Sequence, residues 1–222
     1  MTRADDTPGV WRLKDGEAWY AYLLRTHTTT GLDAETIHAF GRDEAGRLRA
    51  RIRERLRAVG ADADAPARAF AAREREDADK STDARRRREE LPKRFEAILG
   101  RTEVGLDHAF KRLPTARCRI VPCPPHLEAR RTSNYTPPAV GGRRPGLFEL
   151  NAGMEAARPA WELPILAWHE VWPGHHLQLA LQQELGHLPF FRRVLVFTAY
   201  IEGWAKYAEA LPVEAGLETD PW

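Results

Sequence analysis

Apolar residues recur at helical spacing over much of the chain, and the interruptions set the expected elements. Residues 16–26 read as a short helix, the threonines at 28–30 as a loop, and Asp33 as the N-cap of a longer helix. That helix carries Ile37, Phe40, Ala45, Leu48, Ile52, Leu56 and Val59 and stops at Gly60. Pro66 opens a charged stretch to about Glu90. In it Arg85, Arg86, Arg87 and Arg88 are interleaved with Glu74, Glu76, Asp77, Asp79, Asp83, Glu89 and Glu90, the pattern of a solvated helix face. A further helix is expected after Pro92, through Phe95, Ile98 and Leu99. Between residues 117 and 151 the texture changes: Arg119-Ile120-Val121 and Leu147-Phe148-Glu149-Leu150 read as short strands among Pro, Gly and Arg. Residues 198–209 form a last helix, with Val194, Phe197, Ile201, Trp204, Ala205, Ala208 and Leu211 on its apolar side. The expectation is a mainly α protein with a small antiparallel sheet. Residues 1–115 make a helical region and residues 116–222 a second region of short strands and two helices, both parts of one larger domain.

The second region holds the densest chemistry. His169-Glu170-Val171-Trp172-Pro173-Gly174-His175-His176-Leu177-Gln178 puts three imidazoles and a carboxylate within eight residues. It begins like the His-Glu-x-x-His zinc signature, whose two histidines share a helix face at i and i+4, but Pro-Gly stands where the second His belongs. On a straight helix His169 and His175 face apart by roughly 240°, and His169 and His176 lie about 10 Å apart along the axis. Pro173 lacks an N–H, so a kink or bulge is expected there. Looping out Pro173-Gly174 returns His175 to the fourth effective position after His169. His175 is therefore the preferred second ligand, with His176 the alternate, or a group that supports the ligands or faces substrate. The plainer reading is three satisfied structural histidines at a helix break.

A third ligand is sought downstream. Glu202 sits at the edge of the apolar side of the last helix, flanked by Ala199 and Ala205, and a carboxylate there calls for a cation. Glu209 is the rival, and a salt bridge from Glu202 to Lys206 is the plainer account. Two histidines and a glutamate would hold Zn²⁺ with a fourth position open to water, and Glu170 would take that water's proton. Three further residues have possible substrate roles, each set against a structural one. Asn151, ending the second strand, would hold a substrate backbone or simply terminate the strand. Arg144, beside Arg143, would bind a carboxylate or line a solvated loop. Tyr135 would donate to a developing oxyanion or pack its loop. The Leu147–Leu150 segment, as an edge strand, would pair with an extended peptide.

These motifs resemble the bacterial family named "domain of unknown function 885". His169 through Gln178 match its His-Glu-x-x-Pro-Gly-His-His-x-Gln pattern, and Glu202 through Glu209 its Glu-Gly-Trp-Ala-x-Tyr-Ala-Glu. Arg144-Pro145-Gly146, followed by an aromatic strand ending at Asn151, is similar too, as are Asp15 to Tyr20, Thr28 to Thr30 and Glu35 to His38. The resemblance implies a helical zinc-metallopeptidase-like fold with Zn²⁺ as cofactor and peptide as substrate. It also implies a longer parent chain whose flanking helices are missing here, so that this is a central fragment.

Composition adds bounds. The formal charge is +2, with 43% hydrophobic and 30% charged residues, which gives no electrostatic reason to expect nucleic acid or membrane as partner. No apolar run approaches the roughly 18 residues of a spanning helix, and the start lacks an apolar signal core, so the chain as given reads as cytoplasmic. Cys118 and Cys123 are expected as free thiols, with a local disulfide as the alternative. Two other functional classes remain: a non-catalytic metal-binding or interaction module, and a helical nucleic-acid binder using Arg85 to Arg88.

Overall fold

The computed structural model describes residues 9–78, 84–106 and 108–220. Asp79 and Asp83, two of the interleaved charges, lie outside them. The helices are α1 (Gly16–Thr28), α2 (Ala34–Ala58), α3 (Pro66–Ala78), α4 (Ala84–Leu106), α5 (Ala152–Glu155), α6 (Leu163–Glu170), α7 (His175–Gln183), α8 (Phe190–Val194), α9 (Thr198–Ala208) and α10 (Leu211–Glu214). Three short strands, β1 (Cys118–Pro122), β2 (Asn134–Thr136) and β3 (Gly146–Leu150), lie between α4 and α5. The protein is mainly helical, as its periodicity indicates.

Asp33 caps α2 by accepting the Thr36 N–H at 2.8 Å, and Gly60 beyond its end takes the left-handed conformation that ends helices cheaply. The helix expected after Pro92 instead begins at Ala84, with Pro92 inside it. Its N-terminal half is supported by Arg85–Glu89 and Arg86–Glu90 pairs at i,i+4, and Arg88 reaches Glu128. Leu91, Phe95 and Ile98 bury the other side of α4. That packing outweighs the missing proline N–H. The late helix expected over residues 198–209 is α9, flanked by the short helices α8 and α10, so Val194 and Leu211 of its expected apolar side lie in separate elements.

The sheet is mixed, not antiparallel. β3 runs in the middle, parallel to β1 and antiparallel to β2. β3 is therefore paired on both sides and is not the edge strand expected for Leu147–Leu150. Its alternation buries Gly146, Phe148 and Leu150. The third strand escaped the sequence because three residues flanked by Thr132-Ser133 and Pro137-Pro138 carry no alternation to read.

One core joins both halves of the chain. Leu91, Phe95 and Ile98 of α4 pack with Phe148 and Leu150 of β3, Leu163 and Ala167 of α6, and Val171, Trp172 and Leu177 around the α6–α7 turn. Phe95 meets Phe148 edge-on at 5.3 Å. A small second cluster of Leu56, Ala63 and Ala69 ties α2 to α3. On α9, Ala205 and Ala208 are fully buried, whereas Tyr200 is exposed, as are Phe197 just before it and Phe190 and Phe191 on α8. Cys118 and Cys123 are free thiols. Among the described residues no helix is long and apolar enough to cross a membrane.

Candidate metal centre

α6 ends at Glu170, and four residues interrupt the helix before α7 starts at His175. The Trp172–Pro173 bond is cis. The Leu177 N–H reaches the Val171 carbonyl at 3.4 Å, a bond spanning six residues where a helix spans four. Two residues are thus looped out of a helical register, as the Pro-Gly insertion requires. Gly174 makes the turn possible. A Cβ there would stand 2.5 Å from the His169 carbonyl carbon and closer still to the carbonyl oxygens of His169 and Trp168. Trp204 of α9 fixes the turn from outside, donating its indole N–H to the Pro173 carbonyl at 2.9 Å.

The turn and α9 bring three ligand-type side chains together. His169, His175 and Glu202 offer donor atoms that all lie within 4.8 Å of one another. His169 Nε2 is 3.5 Å from one Glu202 oxygen, and His175 Nε2 is 3.8 Å from the other. The two rings meet edge to face at 4.8 Å. Two imidazoles and a carboxylate are a donor set suited to zinc, and ligands at about 2.1 Å from one tetrahedral ion stand roughly 3.4 Å apart, close to these spacings. Glu202 is half exposed, so its place in the cluster comes from position rather than from the burial that the α9 apolar side suggests.

Glu209 and His176 meet other partners. Glu209 accepts from His169 Nδ1 at 2.9 Å and is gripped by Lys206 Nζ at 2.7 Å, so Lys206 pairs with Glu209 rather than Glu202. A carboxylate on the far nitrogen fixes a ligand ring's tautomer and orientation. That hydrogen bond, against the opposing effect of burial, raises the His169 pKa above the usual histidine range. Burial and the neighbouring His169 lower that of His175.

His176 is fully buried. Its Nε2 lies 2.9 Å from the Ala116 carbonyl and its Nδ1 2.8 Å from the Tyr135 hydroxyl. A carbonyl only accepts, so Nε2 carries the proton. Burial lowers this imidazole to about 4, so it is neutral near pH 7 and Nδ1 accepts from Tyr135. The Tyr135 hydroxyl, named from the sequence for an oxyanion or for loop packing, is therefore engaged with His176. Burial also pushes the Tyr135 phenol well above its ordinary range. Tyr135 lies in β2 rather than in a loop.

Asn151 and Arg144 have structural partners. Asn151 is fully buried, donates through Nδ2 to the carbonyls of Glu128 and Arg131, and caps α5 by accepting the Met154 N–H. Both Nδ2 hydrogens are thus taken by backbone carbonyls, and the side chain sits at the strand end as a buried helix cap. Arg144 donates to the carbonyls of Pro137 and Pro145, closing its own loop.

Glu170 is buried beside the cluster. Burial raises its carboxyl to about 7. His169 and the Tyr135 backbone oppose that rise, while Glu202 and Glu155 add to it. A cavity of about 500 Å³ opens next to Glu170 and His169, with Ser133, Glu155, Arg158 and Trp161 among its walls. Glu155 is buried, accepts from Ser133 Oγ at 2.9 Å and pairs with Arg158. Sequence reading missed this network, because Ser133, Glu155 and Arg158 carry no motif and meet only in the fold. It also gave Gly146 no role. A Cβ there would stand 2.8 Å from both His176 Nδ1 and the Tyr135 hydroxyl.

A solved structure described as "the putative lipoprotein from Colwellia psychrerythraea" is similar, with a TM-score of 0.83 and 29% identity over 96% of this chain. This chain covers 37% of that one. No curated protein sequence matches. The family model described as "Bacterial protein of unknown function (DUF885)" matches residues 1–222, and the chain belongs to that family.

Proposed function

We propose that this chain carries the metal centre of a zinc-dependent hydrolase of peptide bonds. The observation behind the proposal is the convergence of His169, His175 and Glu202 beside a buried carboxylate, Glu170, at a helix break that places them there. His169, His175 and Glu202 would hold the ion. Bound zinc supplies Lewis acidity, which acidifies a water and polarises a carbonyl. Glu209 orients His169. Glu170 has a carboxyl near neutrality, the range in which a general base both takes and returns a proton, and would accept the proton of the attacking water and pass it to the leaving amine. β1 and β2 lie at the two edges of the sheet, so pairing with an extended substrate would fall to one of them in place of β3.

The second reading is a metal-binding module without catalysis. In its favour, Glu202 is half exposed and the chain spans little more than a third of its solved relative. The exposed aromatics of α8 and α9 are a surface for flanking helices of a longer parent chain, which would also close the site. For location, the cytoplasm suggested by the sequence stands against the lipoprotein that the Colwellia relative is described as, and fractionation of cells expressing the parent chain separates the two.

Elemental analysis of the purified chain tests the centre. One zinc per molecule is expected, reduced in His169→Ala and Glu202→Gln and retained in Glu170→Gln. Full zinc in Glu202→Gln would remove Glu202 as a ligand. Peptide hydrolysis by the parent chain, abolished in Glu170→Gln, separates the enzyme from the module.

A further inference from the structure

We propose that Tyr135 and His176 are positioning residues for His175, and that His176 itself binds no metal. This rests on the zinc reading above. The two imidazoles facing Glu202 are held in different ways. His169 is fixed by Glu209 through Nδ1. His175 has its Nδ1 buried with no hydrogen-bond partner among the described residues, so none of them sets the rotation of its ring by a hydrogen bond at that atom. Its orientation then depends on packing. His169 meets it edge-on at 4.8 Å, and Tyr135 lies nearly parallel to it, at 22° and 6.4 Å.

Tyr135 can act as a wall only if it is itself fixed, and a short chain of hydrogen bonds fixes it. The Tyr135 hydroxyl donates to His176 Nδ1, and His176 Nε2–H donates to the Ala116 carbonyl. Trp172 closes on His176 edge-on at 5.2 Å. Gly146 leaves the room this requires, because a side chain there would collide with both ends of the Tyr135–His176 bond. With one nitrogen on a carbonyl and the other on a phenol, His176 has no lone pair left for an ion. The doubled histidine of the motif thus divides the work: His175 offers a ligand atom, and His176 anchors the ring that packs on it.

The test uses zinc alone as the probe, with its Kd measured by competition against a chromophoric chelator. Supports of this kind are typically worth 10- to 100-fold in metal affinity. Tyr135→Phe and His176→Phe should each weaken zinc by about 10-fold or more while a stoichiometry of one is kept. Both should also shift the visible bands of the cobalt-substituted protein. His176→Gln keeps a donor for Ala116 and an acceptor for Tyr135, and should recover most of the affinity. Gly146→Ala should repeat the loss from the opposite side. Variants that melt earlier but keep the wild-type Kd and cobalt bands would reduce the pair to a structural role and overturn the proposal. So would loss of all zinc in His176→Phe beside wild-type affinity in Tyr135→Phe, because that makes His176 a ligand. Tyr135→Phe removes one oxygen from a partly buried position, so the comparison survives even if His176→Phe fails to fold. A wild-type chain that takes up no zinc removes the zinc reading and this proposal together, whereas zinc binding untouched by these variants removes only the proposal.

Discussion

Replacing Gly174 with alanine should break the turn that returns His175 to His169. The added Cβ would lie 2.5 Å from the His169 carbonyl carbon, about 1 Å inside ordinary carbon contact, and deeper still into two backbone oxygens. Backbone cannot swing aside as a side-chain tip does, so the cost should meet or exceed the roughly 3 kcal/mol upper range of ordinary overpacking. For a chain of this size that is a fall in Tm of about 6–12 °C. The carbonyls that must yield belong to Trp168 and His169, so the candidate ligand itself moves. Metal sites need their ligands placed to within about 0.5 Å, and zinc affinity should fall along with stability. Gly203→Ala on α9 is the control, because a Cβ there meets nothing within 4 Å. Alanine is worth up to about 1 kcal/mol over glycine inside a helix, so that variant should melt slightly higher. Thermal melting by circular dichroism and zinc competition report both effects. A Gly174→Ala protein that melts within about 2 °C of wild type and keeps its zinc affinity would refute the reasoning.

Glu184 at the end of α7 accepts from the Thr115 N–H at 2.6 Å, the Thr115 hydroxyl at 2.8 Å and Arg112 at 2.6 Å, beside the Ala116 carbonyl that anchors His176. Glu184→Ala should cost about 1.5–3 kcal/mol at neutral pH, measured by urea unfolding. Burial pushes the Glu184 carboxyl up, but its Thr115 and Arg112 partners outweigh that and hold it below the usual range. A depressed carboxyl stabilises above its unfolded pKa and loses that contribution as pH falls through the folded one. The difference between wild type and Glu184→Ala should therefore shrink below about pH 4, and a difference that stays constant to lower pH would contradict the assignment. Burial raises the Cys118 thiol to about 12, against partial opposition from hydrogen bonds to the backbone of Phe148 and Arg119. At pH 8 roughly one molecule in ten thousand carries the thiolate, so Ellman's reagent should find Cys118 unreactive until the chain is unfolded. Rapid labelling of Cys118 in the native protein would count against it.

The chain's local chemistry determined its helices and its ligand types. Asp33 announces α2, Gly60 its end, and Pro173-Gly174 the break that makes His175 the effective partner of His169. Those features act over a few residues, so they can be read without a fold. What lay at longer range came only with tertiary packing. Pro92 reads as a helix boundary, but α4 runs through it because Leu91 and Phe95 are buried against the sheet and α6. β3 became a central strand because β2, too short to show a period, pairs along its far side. Glu209 differs from Glu202, and His176 from His175, in which partner each atom meets. Glu209 faces the far nitrogen of His169, and His176 is spent on Ala116 and Tyr135, residues 60 and 41 positions away. A histidine's two nitrogens are equivalent in sequence. Only the carbonyl or phenol that the fold brings to each one decides whether it is left to bind an ion.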